Sequence, residues 1–141
     1  MKRKLLYTII IFFFLSVNSF AKNLKFTKII DLDKPWGSSF INNNEIIISE
    51  KSGKIKIVNI ENSNTNEINH NLNFLEDGQG GLLDIIYKDG FVWISYTEDR
   101  GNLKTSTSIA KGKFNRQKIF FKNIFQANPP IDSGYHFGSR L

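Results

Sequence analysis

From residue 22 onward the chain consists of short apolar or alternating runs separated by turn-forming residues, and this pattern restricts it to β-structure. None of these runs keeps the 3.6-residue period of an amphipathic helix. Alternation with a period of two buries one face of a strand and leaves the other in water. The predicted fold class is therefore all-β. The predicted strands are residues 37–41, 45–50, 54–59, 82–88, 91–96, 105–115 and 118–121.

Three hairpins can be predicted from the turn residues between these strands. Strands 45–50 and 54–59 flank the sequence KSG, and strands 82–88 and 91–96 flank Asp89-Gly90, a dipeptide that strongly favours a hairpin turn. Strand 105–115 is expected to pair with strand 118–121 across Arg116-Gln117. Residues 59–73 are polar and rich in Asn, and they are interpreted as a solvent-facing loop.

Short antiparallel strands at this spacing are typical of a sandwich, a barrel or a β-propeller. Periodicity alone does not choose between them, although two sets of about four strands match the length of propeller blades. A propeller closes with roughly four to eight blades. If the fold is a propeller, two blades alone would leave unpaired edges, so the chain would be incomplete and is expected to be poorly soluble by itself.

The first 21 residues have the composition of a secretory signal peptide. Lys2, Arg3 and Lys4 precede an almost wholly apolar run over residues 5–17, and Ser19 and Ala21 are the small residues that a cleavage site requires. The alternative is a membrane anchor, but the run has about 13 residues and a spanning helix needs about 20. We therefore expect residues 22–141 to form the mature domain, periplasmic or secreted and without stable membrane insertion.

Charge and cysteine content exclude two further classes of protein. The net charge of +6 includes three basic residues of the predicted signal peptide, so residues 22–141 carry only +3. This scattered charge does not indicate a nucleic-acid partner. The chain has no Cys, so disulfides cannot stabilise an exported fold.

Two segments carry residues that could do chemistry. In DGQGGLLDI (residues 77–85), three glycines surround Gln79, and glycine allows the backbone to approach a ligand closely. In DSGYHFGSRL (residues 132–141), His136 lies between two glycines, and histidine can act as a general base near neutral pH. A plain turn with a solvated Gln and a hydrogen-bonded structural His are the alternatives. His70, in the predicted loop, is expected to be exposed.

Other chemistries find little support in the sequence. No His, Cys or Asp cluster has metal-ligand spacing, so no metal-binding residue is predicted in this chain. Phosphate-binding and nucleophile-elbow motifs are also absent.

Four pieces in the same order resemble the soluble PQQ-dependent aldose (glucose/sorbosone) dehydrogenase family. They are PWGSSF (35–40), IISEKSGKI (47–55), GQGGLLDI (78–85) and HFGSRL (136–141). The resemblance implies a six-bladed β-propeller, of which this chain would supply about the first two blades and the start of a third.

The resemblance also implies roles for individual residues. His136 matches the general base that removes the proton of the sugar's C1 hydroxyl while hydride passes to the PQQ cofactor. Gln79 matches the amide that hydrogen-bonds the quinone oxygen of PQQ. Tyr135 and Arg140 are assigned to support of the site. The resemblance implies calcium as well, with ligands expected after Leu141, and an aldose sugar as substrate; the electron acceptor, the sugar and the oligomeric state cannot be read from the sequence.

A second function from another class stays open, because fold does not fix function. The chain could belong to a non-catalytic secreted β-propeller that binds a ligand or partner, or to an inactive remnant. For the 141 residues alone, with only part of the site, no dehydrogenase activity is expected.

Overall fold

The computed structural model describes residues 24–138 and 140–141, and all regular structure in this part of the chain is β-strand. The strands form two sheets, ordered β1-β2-β3-β4-β8 and β5-β6-β7-β9. The all-β prediction is confirmed. The strands are β1 (Pro35–Asn42), β2 (Glu45–Glu50), β3 (Ile55–Asn59), β4 (Thr65–His70), β5 (Leu82–Lys88), β6 (Phe91–Asp99), β7 (Thr105–Lys113), β8 (Lys118–Ile119) and β9 (Phe121–Gln126).

In the first sheet, β1 to β4 form an antiparallel meander, and the buried apolar side chains lie mainly on β2 and β3. Strand β2 has the predicted bounds and pairs with β1 and β3. The interpretation of residues 59–73 as a loop is wrong, because Thr65–His70 forms β4 and pairs antiparallel with β3. Only Ile68 of this strand is buried. A strand can hydrogen-bond to its neighbours through its backbone while most of its side chains remain in water.

The second sheet begins with the predicted hairpin of β5 and β6. Asp89 and Gly90 both have positive φ, of 51° and 77°, as a two-residue turn of this type requires. Burial raises the pKa of Tyr96 on β6 to about 12, and its phenol donates a 2.6 Å hydrogen bond to Asn123 on β9.

The predicted pairing of strand 105–115 with strand 118–121 is only partly right. Within the second sheet β7 pairs with β6 and with β9, and Gly112 lies opposite Phe121 of β9. Residues 118 and 119 instead form β8, which pairs in parallel with β4 of the first sheet. The segment after β7 therefore ties the two sheets together at their outer edge before it returns to its own sheet.

The core lies between the two sheets. Side chains from one face of each sheet form a single buried cluster, in which each fully buried Ile or Leu contributes about 1.5–3 kcal/mol. Its members are Ile47, Ile55, Ile57, Ile68, Leu82, Ile85, Val92, Ile94, Tyr96, Ala110, Ile119 and Phe121.

At the inner edge, β1 and β5 approach so closely that no side chain fits between them. A Cβ atom at Gly37 would lie 2.7 Å from the Cα atom of Asp84. Ser49, which is fully buried, accepts a 3.1 Å hydrogen bond from the Gly37 N–H and donates one to the Leu83 carbonyl. This hydroxyl bridges the two sheets beside the start of β5, where the segment containing Gln79 enters.

At the outer edge, an ion pair joins the sheets. Arg116, in the turn between β7 and β8, donates hydrogen bonds of 2.8 and 2.6 Å to the two carboxylate oxygens of Glu45 on β2. The Asn66 amide also donates to the Arg116 carbonyl. Hydrogen bonds from Arg116, and then from Asn42, lower the pKa of Glu45 to about 2.

Within the described residues, no helix has the length and apolar character needed to cross a membrane. The predicted signal peptide, residues 1–21, lies outside the residues that the structure describes.

Candidate functional site

The loop that carries Gln79 runs from Asp77 to the start of β5, and its conformation depends on glycine. Gly81 has a φ of +142°, and a Cβ atom there would lie 2.1 Å from the carbonyl oxygen of Lys51. Gly78 has a φ of +51°, and a Cβ atom there would lie 2.4 Å from the carbonyl oxygen of Gly134. Other residues rarely adopt such backbone angles and could not fit here. The glycines therefore let the loop pack between two other segments of backbone.

The second sheet holds one side of this loop. The Gly81 N–H donates to the Thr97 hydroxyl at 3.0 Å, and the Thr97 N–H donates to the Gly81 carbonyl at 2.9 Å. Thr97 is buried. These two bonds extend the β5–β6 pairing into the loop and fix the position at which the loop joins β5.

The structure brings Gln79 and His136 together, although 57 residues separate them. The backbone N–H of His136 donates a 3.1 Å hydrogen bond to Oε1 of Gln79. The Gln79 N–H donates in turn to the Gly134 carbonyl at 2.7 Å. Because one bond joins backbone to side chain and the other joins backbone to backbone, the two segments form one unit at the entry to β5.

His136 has a φ of 66°, an angle that non-glycine residues seldom adopt. A backbone held in such a sparsely populated region is a feature that clusters at functional sites. The imidazole is exposed, as is the Gln79 side chain.

The arrangement offers an uncharged donor and a titratable base to a ligand in solvent. Gln79 uses its side-chain oxygen to hold His136, and among the described residues its NH₂ group forms no hydrogen bond. That NH₂ group can donate to an acceptor of a ligand, and the exposed imidazole can accept a proton. Both properties suit the quinone and the sugar hydroxyl that the sequence resemblance implies.

An ion pair lies just before the loop. Lys34 contacts the Glu76 carboxylate at 2.7 Å, and this contact raises the pKa of Lys34. The pair connects the segment that precedes β1 to the residue before Asp77.

Tyr135 and Arg140 lie next to this unit without joining its hydrogen bonds. The Tyr135 side chain is 60% exposed, and its N–H is bonded to the Ser133 hydroxyl. Arg140 is exposed and lines a cleft of about 230 Å³ together with Trp36 and Asp84. The support roles predicted for both residues stay predictions.

Two residues that hold this region were not singled out from the sequence. The Asp84 carboxylate accepts a 2.8 Å hydrogen bond from the Leu141 N–H, and the Lys51 ammonium group donates to the Gly78 carbonyl. Both residues lie in the quoted motifs, but nothing local in the sequence distinguishes them from ordinary strand and turn residues. Their contacts cross 57 and 27 residues of chain.

The expectation that His70 is exposed is wrong. It is partly buried at the end of β4, where its Nε2 atom lies 2.7 Å from the Gly53 carbonyl and Nδ1 accepts the Leu72 N–H. These contacts give His70 a structural role in the turn between β2 and β3. Over the part of the chain that the structure describes, no group of three or more His, Asp or Glu residues could hold a metal ion.

The described chain is thus an all-β pair of sheets, with the Gln79–His136 unit at the start of β5. The model of the glucose/sorbosone dehydrogenase family matches residues 32–141. The chain belongs to this family.

Individual relatives agree with this assignment. The chain is 27% identical over 119 residues to the aldose sugar dehydrogenase YliI of Escherichia coli, covering 78% of this chain and 32% of that protein. A crystal structure of a glucose dehydrogenase superimposes with a TM-score of 0.76 at 25% identity, over 82% of this chain and 36% of the other.

A PQQ-bound aldose sugar dehydrogenase from Streptomyces coelicolor shares the fold, with a TM-score of 0.61 at 18% identity over 70% of this chain and 32% of the other. The chain thus spans about a third of the length of the relatives that it matches. The prediction of a partial propeller-type fold is confirmed, because the two sheets superimpose on part of these propeller dehydrogenases.

Proposed function

We propose that this chain supplies the N-terminal part of a periplasmic or secreted PQQ-dependent aldose dehydrogenase, which oxidises the C1 hydroxyl of a sugar to the lactone. The single observation that carries the proposal is the hydrogen-bonded unit of Gln79 and His136. The family match supports it, since it extends through both motifs.

In the proposed reaction the sugar loses two hydrogen atoms, one as a hydride and one as a proton. The C1 hydrogen leaves with its electron pair, and PQQ is the cofactor that accepts it as hydride. The hydroxyl proton goes to a nitrogen of the neutral His136 imidazole, which must lie within hydrogen-bond reach of the substrate oxygen. The C1–O bond then becomes the carbonyl of the lactone.

Gln79 has two tasks in this scheme. Its side-chain oxygen holds the His136 backbone, and this bond limits the positions that the base can occupy. Its NH₂ group would donate to a quinone oxygen of PQQ and favour the negative charge that develops there during reduction.

The test uses the complete product of the reading frame that contains this chain, reconstituted with PQQ and calcium and supplied with a panel of aldoses and a reducible dye. The proposal expects turnover by the wild-type protein. His136→Asn should lower kcat by about 10²–10⁴-fold, the usual contribution of a general base. Gln79→Leu should weaken PQQ binding, measured by cofactor titration, and also lower kcat.

His70→Gln is the matched control, because His70 is the other histidine and lies in a structural turn. It should retain the wild-type kcat even if it lowers the melting temperature. A folded wild-type protein that reduces no dye with any aldose after reconstitution would contradict the proposal and favour a non-catalytic propeller.

A further inference from the structure

We propose that Lys51 is a positioning residue, which orients the peptide between Gly78 and Gln79 and thereby sets the place of the Gln79 amide and of His136. The inference rests on the proposed function, because it names a further residue that serves the same site. Lys51 lies in the turn between β2 and β3, on the first sheet, whereas the loop that it holds leads into the second.

Lys51 contacts the loop at both ends. Its ammonium group donates to the Gly78 carbonyl, and its own carbonyl accepts a 3.2 Å hydrogen bond from the Leu82 N–H. Only residues 79–81 lie between these two points. One residue of the first sheet therefore fixes the beginning and the end of the loop that carries Gln79.

The decisive contact acts on a single peptide unit. The Gly78 carbonyl and the Gln79 N–H belong to the same planar group and point in opposite directions. Lys51 holds the carbonyl, and the Gly134 carbonyl accepts the N–H at 2.7 Å. Because both ends are held, the peptide plane cannot rotate, and the direction of the Gln79 side chain is set.

Lys51 itself is carried on a rigid support. Its N–H donates to the Lys34 carbonyl at 3.0 Å. The preceding residue, Glu50, is fully buried, and one oxygen of its carboxylate binds the Lys56 ammonium group at 2.8 Å and the Asp33 N–H at 2.9 Å. These contacts fix the Lys51 backbone, from which the side chain reaches the Gly78 carbonyl.

The bond to Gly78 is charge-assisted and not shared with a carboxylate. Hydrogen bonds from an ammonium group are roughly twice as strong as those between neutral groups. Among the described residues Lys51 forms no ion pair. No acidic side chain of these residues therefore competes with the Gly78 carbonyl for the Lys51 ammonium group.

The test compares Lys51→Met, Lys51→Arg and Lys54→Met in the complete protein. Lys54 is an exposed lysine three residues further along the same turn, and among the described residues its ammonium group forms no hydrogen bond or ion pair. The first readout needs no cofactor: the exchange of individual backbone amides with deuterium, measured by NMR or by mass spectrometry with fragmentation. The second is kcat and KM for the best aldose.

Lys51→Met should accelerate exchange of the Gln79 amide about tenfold, while the Leu82 amide keeps its protection because the Lys51 backbone carbonyl remains. The same variant should lower kcat by roughly 10- to 100-fold, the effect of a small misplacement of reacting groups, with KM nearly unchanged. Lys51→Arg should restore most of both properties, and Lys54→Met should match the wild type.

The outcomes separate this inference from the proposed function. Unchanged Gln79 exchange in Lys51→Met overturns the positioning role, whatever happens to kcat. Unchanged kcat in a variant with faster Gln79 exchange also overturns it, since the peptide would then be irrelevant to turnover. A third outcome is faster Gln79 exchange in Lys51→Met together with a wild-type protein that is inactive with every aldose. This outcome supports the role of Lys51 in orienting the peptide and contradicts only the dehydrogenase assignment.

Discussion

Replacing Gly81 by Ala tests how closely the Gln79 loop packs on the first sheet. Gly81 has a φ of +142°, and its new methyl group would lie 2.1 Å from the Lys51 carbonyl oxygen, which is backbone and cannot rotate away. The loop must therefore move. Gly90→Ala is the matched control, because Gly90 also has a positive φ, of +77°, but a Cβ atom there meets nothing within 4 Å.

The structure gives the size of the difference. Gly90→Ala incurs the cost of a left-handed backbone angle, about 1–2 kcal/mol, and Gly81→Ala incurs about 1–3 kcal/mol because a φ of +142° lies outside that region. Movement at Gly81 would also break its bond to Thr97 and the bond between Leu82 and Lys51, each with a net value of about 1 kcal/mol. We expect Gly81→Ala to lower the free energy of unfolding by about 3–5 kcal/mol and Gly90→Ala by about 1–2 kcal/mol.

Urea denaturation of the complete protein, followed by tryptophan fluorescence, measures this difference. With a slope of about 2 kcal/mol per M, the midpoint of Gly81→Ala should lie roughly 1 M below that of Gly90→Ala. Amide exchange at Leu82 provides a local measurement that does not require all blades to unfold together. Equal midpoints for the two variants would show that the loop does not pack against Lys51 as described.

Two further predictions concern the contacts between the sheets. Glu45 has a pKa of about 2 beside Arg116, so its carboxylate stabilises the fold above about pH 4.5 and loses this effect as the pH falls toward 2. Glu45→Gln should lower the free energy of unfolding by about 1 kcal/mol at pH 7, since Arg116 is half exposed. The melting temperatures of wild type and variant should converge by pH 2, and a constant difference between them across this range would contradict the assignment. Ser49→Ala should cost about 1–3 kcal/mol, because it leaves the Gly37 N–H without its bridge. Ser52→Ala, which removes a buried hydroxyl with no partner among the described residues, should change the unfolding free energy by less than about 0.5 kcal/mol, and equal losses in the two variants would contradict the bridge.

The sequence predicted those strands whose side chains are apolar and whose ends carry turn residues. Strands β2 and β5 have the predicted bounds, and the Asp89-Gly90 hairpin forms as expected. It did not predict β4, since this strand is held by backbone bonds to β3 and β8 and buries little apolar surface. The sequence also assigned residues 118–121 to one strand, although residues 118 and 119 pair with β4.

For the candidate site, the sequence by itself determined the residue types, and through its motifs the family. Gln79 lies between glycines, and His136 lies between Gly134 and Gly138. These local patterns can be recognised in the sequence because each glycine affects the backbone conformation of its own segment. Only the tertiary structure decided that the His136 N–H meets the Gln79 oxygen and that Lys51 reaches the Gly78 carbonyl. Such contacts join residues far apart in the chain, and their geometry depends on how two sheets pack, which no local pattern encodes.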